Sequence, residues 1–261
     1  MIGLKASTTY QYRVSVDGEA GEEQTFTTTA AIPLTDGSFD NWSQHETKDK
    51  LWQPWASGSI SFWDTGNRGA TTVGDSNSIP TTETCNGTGK AAVLESKYIV
   101  MKFAAGNIFT GSYKKTVGLN GVLDFGRPFN SFPTKLRVNY KYNSTTINRV
   151  EKEMAHLKGR PDSCQIYIAL TDWDNPLEIR TEPSNRQLFD PNDPKVIAYG
   201  TLIKGETVSS WTQVDIELKY RYTNRTPKYI LIVASSSKYG DYFTGGEGSK
   251  LWLDNCELIY D

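Results

Sequence analysis

The sequence is poor in the residues that build most catalytic centres: its 261 positions hold two histidines, three cysteines and three methionines. No His-Ser-Asp order, metal triad or phosphate loop occurs, and His45 and His156 read more simply as surface residues than as ligands. Cys85, Cys164 and Cys256 are an odd number without C-x-x-C spacing, which excludes a zinc knuckle or a thioredoxin-like motif. Cys85 and Cys164 could pair, whereas Cys164 and Cys256 lie in or beside apolar strands, where a buried free thiol is the ordinary reading. Charge of one sign is also missing. Lys and Arg number 28 against 30 Asp and Glu, interspersed, so neither a nucleic-acid footprint nor a polybasic membrane surface is present. No apolar run is long enough for a transmembrane segment, and residues 1–3 begin no secretory signal.

What the chain does have is Thr, Tyr, Trp, Ser and Gly, with apolar residues in short runs separated by turn signals. The clearest runs are 91–100, 134–143, 164–173, 196–204, 212–220, 228–237 and 250–260. Seven or more strands with little helix predict an all-β, two-sheet jelly-roll β-sandwich. Leu136, Val138, Tyr140 and Tyr142 alternate with Arg137, Asn139, Lys141 and Asn143, so one face is buried and the other wet. The run YILIVA at 229–234 has no polar face and is expected at the centre of its sheet. In the last run the apolar phase changes from Leu251 and Leu253 to Cys256, Leu258 and Tyr260. That change reads either as a bulge at Asp254-Asn255 or as a strand buried on both faces. Ile147, Val150, Met154 and Leu157 fall at helical spacing before a Gly-Arg-Pro stop, so residues 146–158 are either a helix or a loop insertion.

Residues 4–28 form one hairpin, with Tyr10, Tyr12, Val14 and Val16 on one face. It resembles the last two strands of a fibronectin type III or immunoglobulin-like module, with Leu4 and Tyr10 at the family's tyrosine corner. A hairpin alone is marginal in water, so residues 1–29 either dock on the rest of the chain or are a remnant of that module, and the remnant is the reading taken. Residues 30–36 are then a linker and 37–261 the main domain. On this reading any export signal was lost with the missing part.

The strings FWDTGNRGATT, GKAAVLESKYIVMKFAAGNIFTG, LDFGRPF, CQIYIALTDW, VIAYG and YILIVASSSKYGDYFTGGEGSKLWLDNCELIYD resemble the putative carbohydrate metabolism domain over residues 37–261. Members are surface or periplasmic proteins of polysaccharide-degrading bacteria, commonly labelled putative glycoside hydrolases. The resemblance therefore implies an extracytoplasmic jelly roll whose partner is a polysaccharide or oligosaccharide. DGSFDNW and LWLDNCEL are similar to the opening and closing strands of many carbohydrate-binding jelly rolls, in which two acids often share a structural calcium. Asp40 and Asp254 would be the side-chain ligands here. Asp stands where Glu is usual in that opening, which changes its reach.

Three roles stay open at this point: a glycan-binding domain, a glycoside hydrolase using two carboxylates, and a structural or adhesive sandwich. For hydrolysis the candidate acids are Glu95, Asp172, Asp174 and Asp241, and two must stand about 5 to 9.5 Å apart. Each has a plainer reading: an ion pair for Glu95, turn caps for Asp172 and Asp174, and a displayed loop residue for Asp241. For sugar contact, which needs flat apolar rings beside polar groups, the candidates are Trp52, Trp55, Trp173, Arg127, Lys238, Tyr239 and Tyr242. Arg127, preceding a proline, reads also as a turn cap. The stretch SSSKYGDYFTGGEGS at 235–249 is expected to turn on its glycines, with Lys238, Tyr239, Asp241 and Tyr242 either displayed at its tip or folded back as a plug.

Overall fold

A computed structural model describes residues 4–261. Two antiparallel sheets face each other. The smaller has five strands in the order Val208–Glu217, Lys135–Asn143, Lys250–Ile259, Ala91–Glu95, Ser78–Thr81. The larger runs Leu177–Arg180, Asn120–Phe125, Asn107–Val117, Tyr229–Ser235, Cys164–Thr171, Val196–Lys204, Lys219–Tyr220, with Trp63–Thr65 and Arg127–Pro128 attached. Among the described residues no helix is long and apolar enough to cross a membrane.

Period-two alternation builds the core between the sheets. Leu136, Val138, Tyr140 and Tyr142 from one sheet meet Ile166, Ile168 and Leu170 from the other. Trp42 and Trp63 are buried with them. A second apolar cluster covers the outer face of the larger sheet, where Ala169, Leu231 and Val233 lie with Phe109, Phe125 and Trp173 beneath Phe189 and Leu177. The strand Tyr229–Ser235 is central and covered on both faces, which is why residues 229–234 have no polar face.

The phase change in the last strand is a register shift: Arg137 pairs with Glu257 but Asn139 pairs with Asp254, and Asn255 takes φ +45°. Gly37 lies against this bulge, where a Cβ would stand 2.2 Å from the Cys256 carbonyl oxygen. The opening DGSFDNW is thereby seated on the closing strand.

Two expectations change. Residues 146–158 form no α-helix; only Lys152–Leu157 winds, as a 3-10 helix, because Thr146 bridges to Pro161 and Arg149 to Gly245. The three cysteines are free thiols rather than a Cys85–Cys164 pair. Cys164 faces the core, where burial pushes its thiol up to about 12, whereas Cys85 accepts the Asn255 side-chain N–H at 3.1 Å. At the other end of the chain Thr9–Tyr12 pairs with Gln24–Thr27, and the Tyr10 hydroxyl accepts the Lys5 backbone N–H at 2.8 Å.

Candidate functional site

The loop 235–249 is held by a buried polar cluster that periodicity does not reveal. Asp162, 0% exposed, accepts the Ser237 hydroxyl at 2.5 Å and the Gly246 and Ser163 backbone N–H groups at 2.8 Å each. Ser96 bonds the hydroxyls of Ser236 and Ser237 at 2.8 and 2.6 Å, and Tyr142 donates to the Ser236 carbonyl at 3.1 Å. Thr145 and Ser249 close the other end at 2.8 Å. A Cβ at Gly245 would come within 2.5 Å of Phe103, and one at Gly246 within 2.2 Å of Thr145, so the glycine pair permits the loop's close approach. The serines are anchors. Desolvation raises the Asp162 pKa above the usual carboxylate value, and the Ser237 hydroxyl and backbone donors oppose that push.

Anchoring these stems leaves the tip, Gly240–Tyr242 and its neighbours, at the end of the sandwich. The Arg186 guanidinium lies 4.5 Å from the Tyr242 ring centroid and pairs with Glu153. Its Nε and Nη2 are buried without a partner among the described residues. Lys102 sits 3.4 Å from the Phe243 ring centroid and donates to Asn120 Oδ1 at 2.5 Å. Tyr167 and Phe189 stack at 5.4 Å nearby. Gly240 and Phe243 line an apolar cavity of about 120 Å³ with Lys102, Ile99 and Tyr113. Tyr239 lines another opening of about 600 Å³ with Arg160, Lys204 and Glu206.

Asp241 stands in this corner with no hydrogen bond or ion pair among the described residues. Its side chain is exposed, yet crowding protein atoms strip part of its hydration and push its pKa up to about 6, against the pull of Arg186. The other three candidate acids are neutralised. Glu95 lies between Lys97 and Lys250 at 3.4 and 3.5 Å. Asp172 accepts Arg225 Nε at 2.7 Å, and Asp174 accepts Lys195 and Lys228 at 2.7 and 3.0 Å. Those two lysines, Lys195 foremost, hold the Asp174 carboxyl down at about 2.

The topology keeps Asp172 and Asp174 together and holds them, Glu95 and Asp241 in separate places. Asp172 and Asp174 follow the Thr171 end of Cys164–Thr171, whereas the loop follows Ser235, which pairs with Gln165 at the other end, roughly 20 Å along the strand. Glu95 lies on the outer face of the smaller sheet. Asp241 lies by Tyr167 on the outer side of the larger one. Asp172 and Asp174 are the one neighbouring pair, and both are held by basic partners, Arg225 for the first and Lys195 and Lys228 for the second.

Of the proposed sugar-contact residues, Lys238, Tyr239 and Tyr242 stay together at the tip, with the Lys238 ammonium 5.0 Å from the Tyr239 ring centroid. Trp173 is buried against Phe189, and Trp52 is half-buried against the core. Trp55 is half-buried, its carbonyl taken by Ser43 at 2.8 Å. Arg127 points inward: Nε donates to the Phe62 carbonyl at 3.0 Å and Nη2 to Ser61 Oγ at 3.2 Å and to the Gly111 carbonyl. Asp40 and Asp254 each accept a backbone N–H of one loop, from Lys90 and Cys85, at 2.7 Å. They thus tie that loop directly, and their remaining oxygens supply few of the roughly six to eight that calcium takes.

Asp162, Arg186, Glu153, Lys102 and Tyr167 carry no signal by spacing. They come from separate elements and are brought to one end only where the loop, the 177–195 segment and the strands converge.

The comparisons with known proteins accord with this architecture. Two crystal structures, each of a putative glycoside hydrolase, superpose on the chain. The one from Bacteroides thetaiotaomicron is 22% identical with TM-score 0.67, covering 97% of this chain and 79% of that one. The one from Bacteroides vulgatus is 21% identical with TM-score 0.64, covering 86% and 97%. At these identities the likeness shows the shared fold. No curated protein matches the chain. The family model of the putative carbohydrate metabolism domain matches residues 38–259, so the chain belongs to that family and has a carbohydrate-related role.

Proposed function

We propose that the chain binds a saccharide at the tip of the 235–249 loop, as an extracytoplasmic carbohydrate-binding domain of a polysaccharide-processing system. One observation carries the reading: Asp241 alone among the candidate acids makes no ion pair among the described residues, and it stands near Arg186 in a loop whose Tyr239, Gly240 and Phe243 line two cavities. Tyr239 and Tyr242 offer ring faces to sugar C–H groups, Arg186 and Lys238 donate, and the Asp241 carboxylate accepts hydroxyls. One free carboxyl suits binding better than hydrolysis.

Calorimetry over a panel of plant and host oligosaccharides tests this. Tyr242→Ala is expected to weaken binding about tenfold, in line with loss of an aromatic contact. Because Asp241 ionises as pH passes its raised pKa, affinity rises between about pH 5 and 7, and Asp241→Asn removes that slope. No binding anywhere in the panel would sink the reading.

Hydrolysis is the second reading, favoured by the raised Asp241 carboxyl near the Arg186 guanidinium, which also pairs with the acid Glu153. It requires release of reducing ends that Asp241→Asn abolishes while binding persists. A surface module without a small ligand is what remains if neither behaviour is found.

The division into residues 1–29, 30–36 and 37–261 is part of the same proposal, supported by the Tyr10–Lys5 bond of an immunoglobulin-like corner. Protease cleavage within 30–36 that leaves 37–261 folded is the expected result. Cleavage first inside the sandwich would count against it. The extracytoplasmic setting rests on the family resemblance, and a cytoplasmic location by cell fractionation would refute it.

A structural calcium at Asp40 and Asp254 is retained as a proposal on the strength of their two remaining oxygens. Dialysis against EDTA is expected to lower Tm, with recovery on adding calcium; an unchanged Tm removes the ion.

A further inference from the structure

The outer face of the five-stranded sheet carries a cation in an unusual setting. Tyr140 and Tyr142 point into the core, so Lys141 between them points outward, yet it is only 9% exposed. Its ammonium lies 5.4 Å from the Trp211 ring centroid and 4.7 Å from that of Trp252. Lys250 adds a second ammonium 5.7 Å from Trp252. The Trp211 indole N–H is buried with no acceptor among the described residues.

Burying an ammonium is costly, and a strand that needed only a wet face would leave the lysine in solvent. Here two indoles wall it in, and one carboxylate, Glu83, reaches it. The Glu83 side chain is itself 54% exposed, so it arrives from outside, as a ligand would.

We propose that this face binds a carboxylate-bearing saccharide. The ligand carboxylate takes the place of Glu83 on Lys141, its ring lies against the indoles, and one of its oxygens accepts the Trp211 N–H. The Lys141 ammonium between two indoles selects an anionic sugar over a neutral one, with Lys250 beside it shared with Glu95 at 3.5 Å. The saccharide part of this assignment rests on the carbohydrate-related role; the anionic part rests on Lys141, Lys250 and Glu83. The site is separate from the loop tip, which lies by Tyr167 on the outer side of the other sheet.

Titration with trigalacturonic acid and with neutral galactotriose, followed by tryptophan fluorescence and calorimetry, tests it. Trigalacturonate is expected to bind at least about tenfold tighter than galactotriose and to weaken as salt rises. Lys141→Met loses about tenfold or more, and Glu83→Gln gains a few-fold by removing the internal competitor. Trp211→Phe, which keeps a ring and drops the N–H, serves if Lys141→Met does not fold, and loses about threefold to tenfold. A neutral oligosaccharide that binds the loop tip does not displace trigalacturonate, which separates this site from the tip. Equal affinity for both trisaccharides, or no binding of trigalacturonate to wild type and Glu83→Gln, would overturn the proposal. So would affinities indifferent to Glu83→Gln and Trp211→Phe.

Discussion

Asp162→Ala is expected to lower unfolding free energy by about 3 to 5 kcal/mol, the cost of leaving several buried donors without an acceptor. The Ser237 hydroxyl and the Gly246 and Ser163 N–H groups all converge on this carboxylate, and Ser237 in turn bonds Ser96. Because domains are stable by only about 5 to 15 kcal/mol, the loss is a large share of the total. For a chain of this size it corresponds to a Tm lowered by roughly 10 °C. The loop also loses its tether, so saccharide binding at the tip should fall together with stability. Asp162→Asn keeps the shape but turns an amide donor toward N–H or O–H donors, and is expected to destabilise less than alanine while remaining below wild type. Urea unfolding monitored by circular dichroism gives the comparison. Wild-type stability in Asp162→Ala would mean that the cluster does not hold the loop.

Arg127→Met should cost about 2 to 4 kcal/mol with no change in saccharide affinity at the loop tip. The guanidinium joins the 61–62 segment to the Gly111 carbonyl, and Asp64, 3% exposed, lies within reach of its charge. Removing it takes a donor from the Gly111 carbonyl, while the Phe62 carbonyl keeps the Gly111 N–H at 3.3 Å, and leaves the buried Asp64 with Arg68 as its remaining nearby cation. Lysine should not rescue stability, because a single ammonium cannot span both segments as the planar fork does. The readout is the midpoint of urea unfolding beside the binding isotherm. A stable variant with weakened binding would return Arg127 to the ligand site.

Arg127 shows why site residues were harder to read than strands. An arginine before proline in a polar-aromatic string has the composition of a sugar contact, and nothing local says whether its fork turns outward or inward. Trp173 is the same case: a strand-end tryptophan is equally suited to a platform or to the cover of an outer sheet face, and Phe189, sixteen positions on, decides it. Glu95, by contrast, was legible as an ion pair, because its lysine partner Lys97 stands two positions away. The phase change near Asp254 was also legible, since an inserted residue shifts every later side chain by one face.

The sequence by itself determined the all-β sandwich, the faces of its strands, the central place of YILIVA and the carbohydrate-related family. These follow from period-two alternation and from long local strings, which lie within single segments. Only the tertiary structure decided that Asp162 anchors the loop, that Lys195, Lys228 and Arg225 neutralise Asp174 and Asp172, and that Asp241 meets Arg186 and Tyr242. Those outcomes depend on charges and donors brought together from distant parts of the chain. Their energies depend on burial and on approach to within a few ångströms, and neither is encoded in the spacing of any one segment.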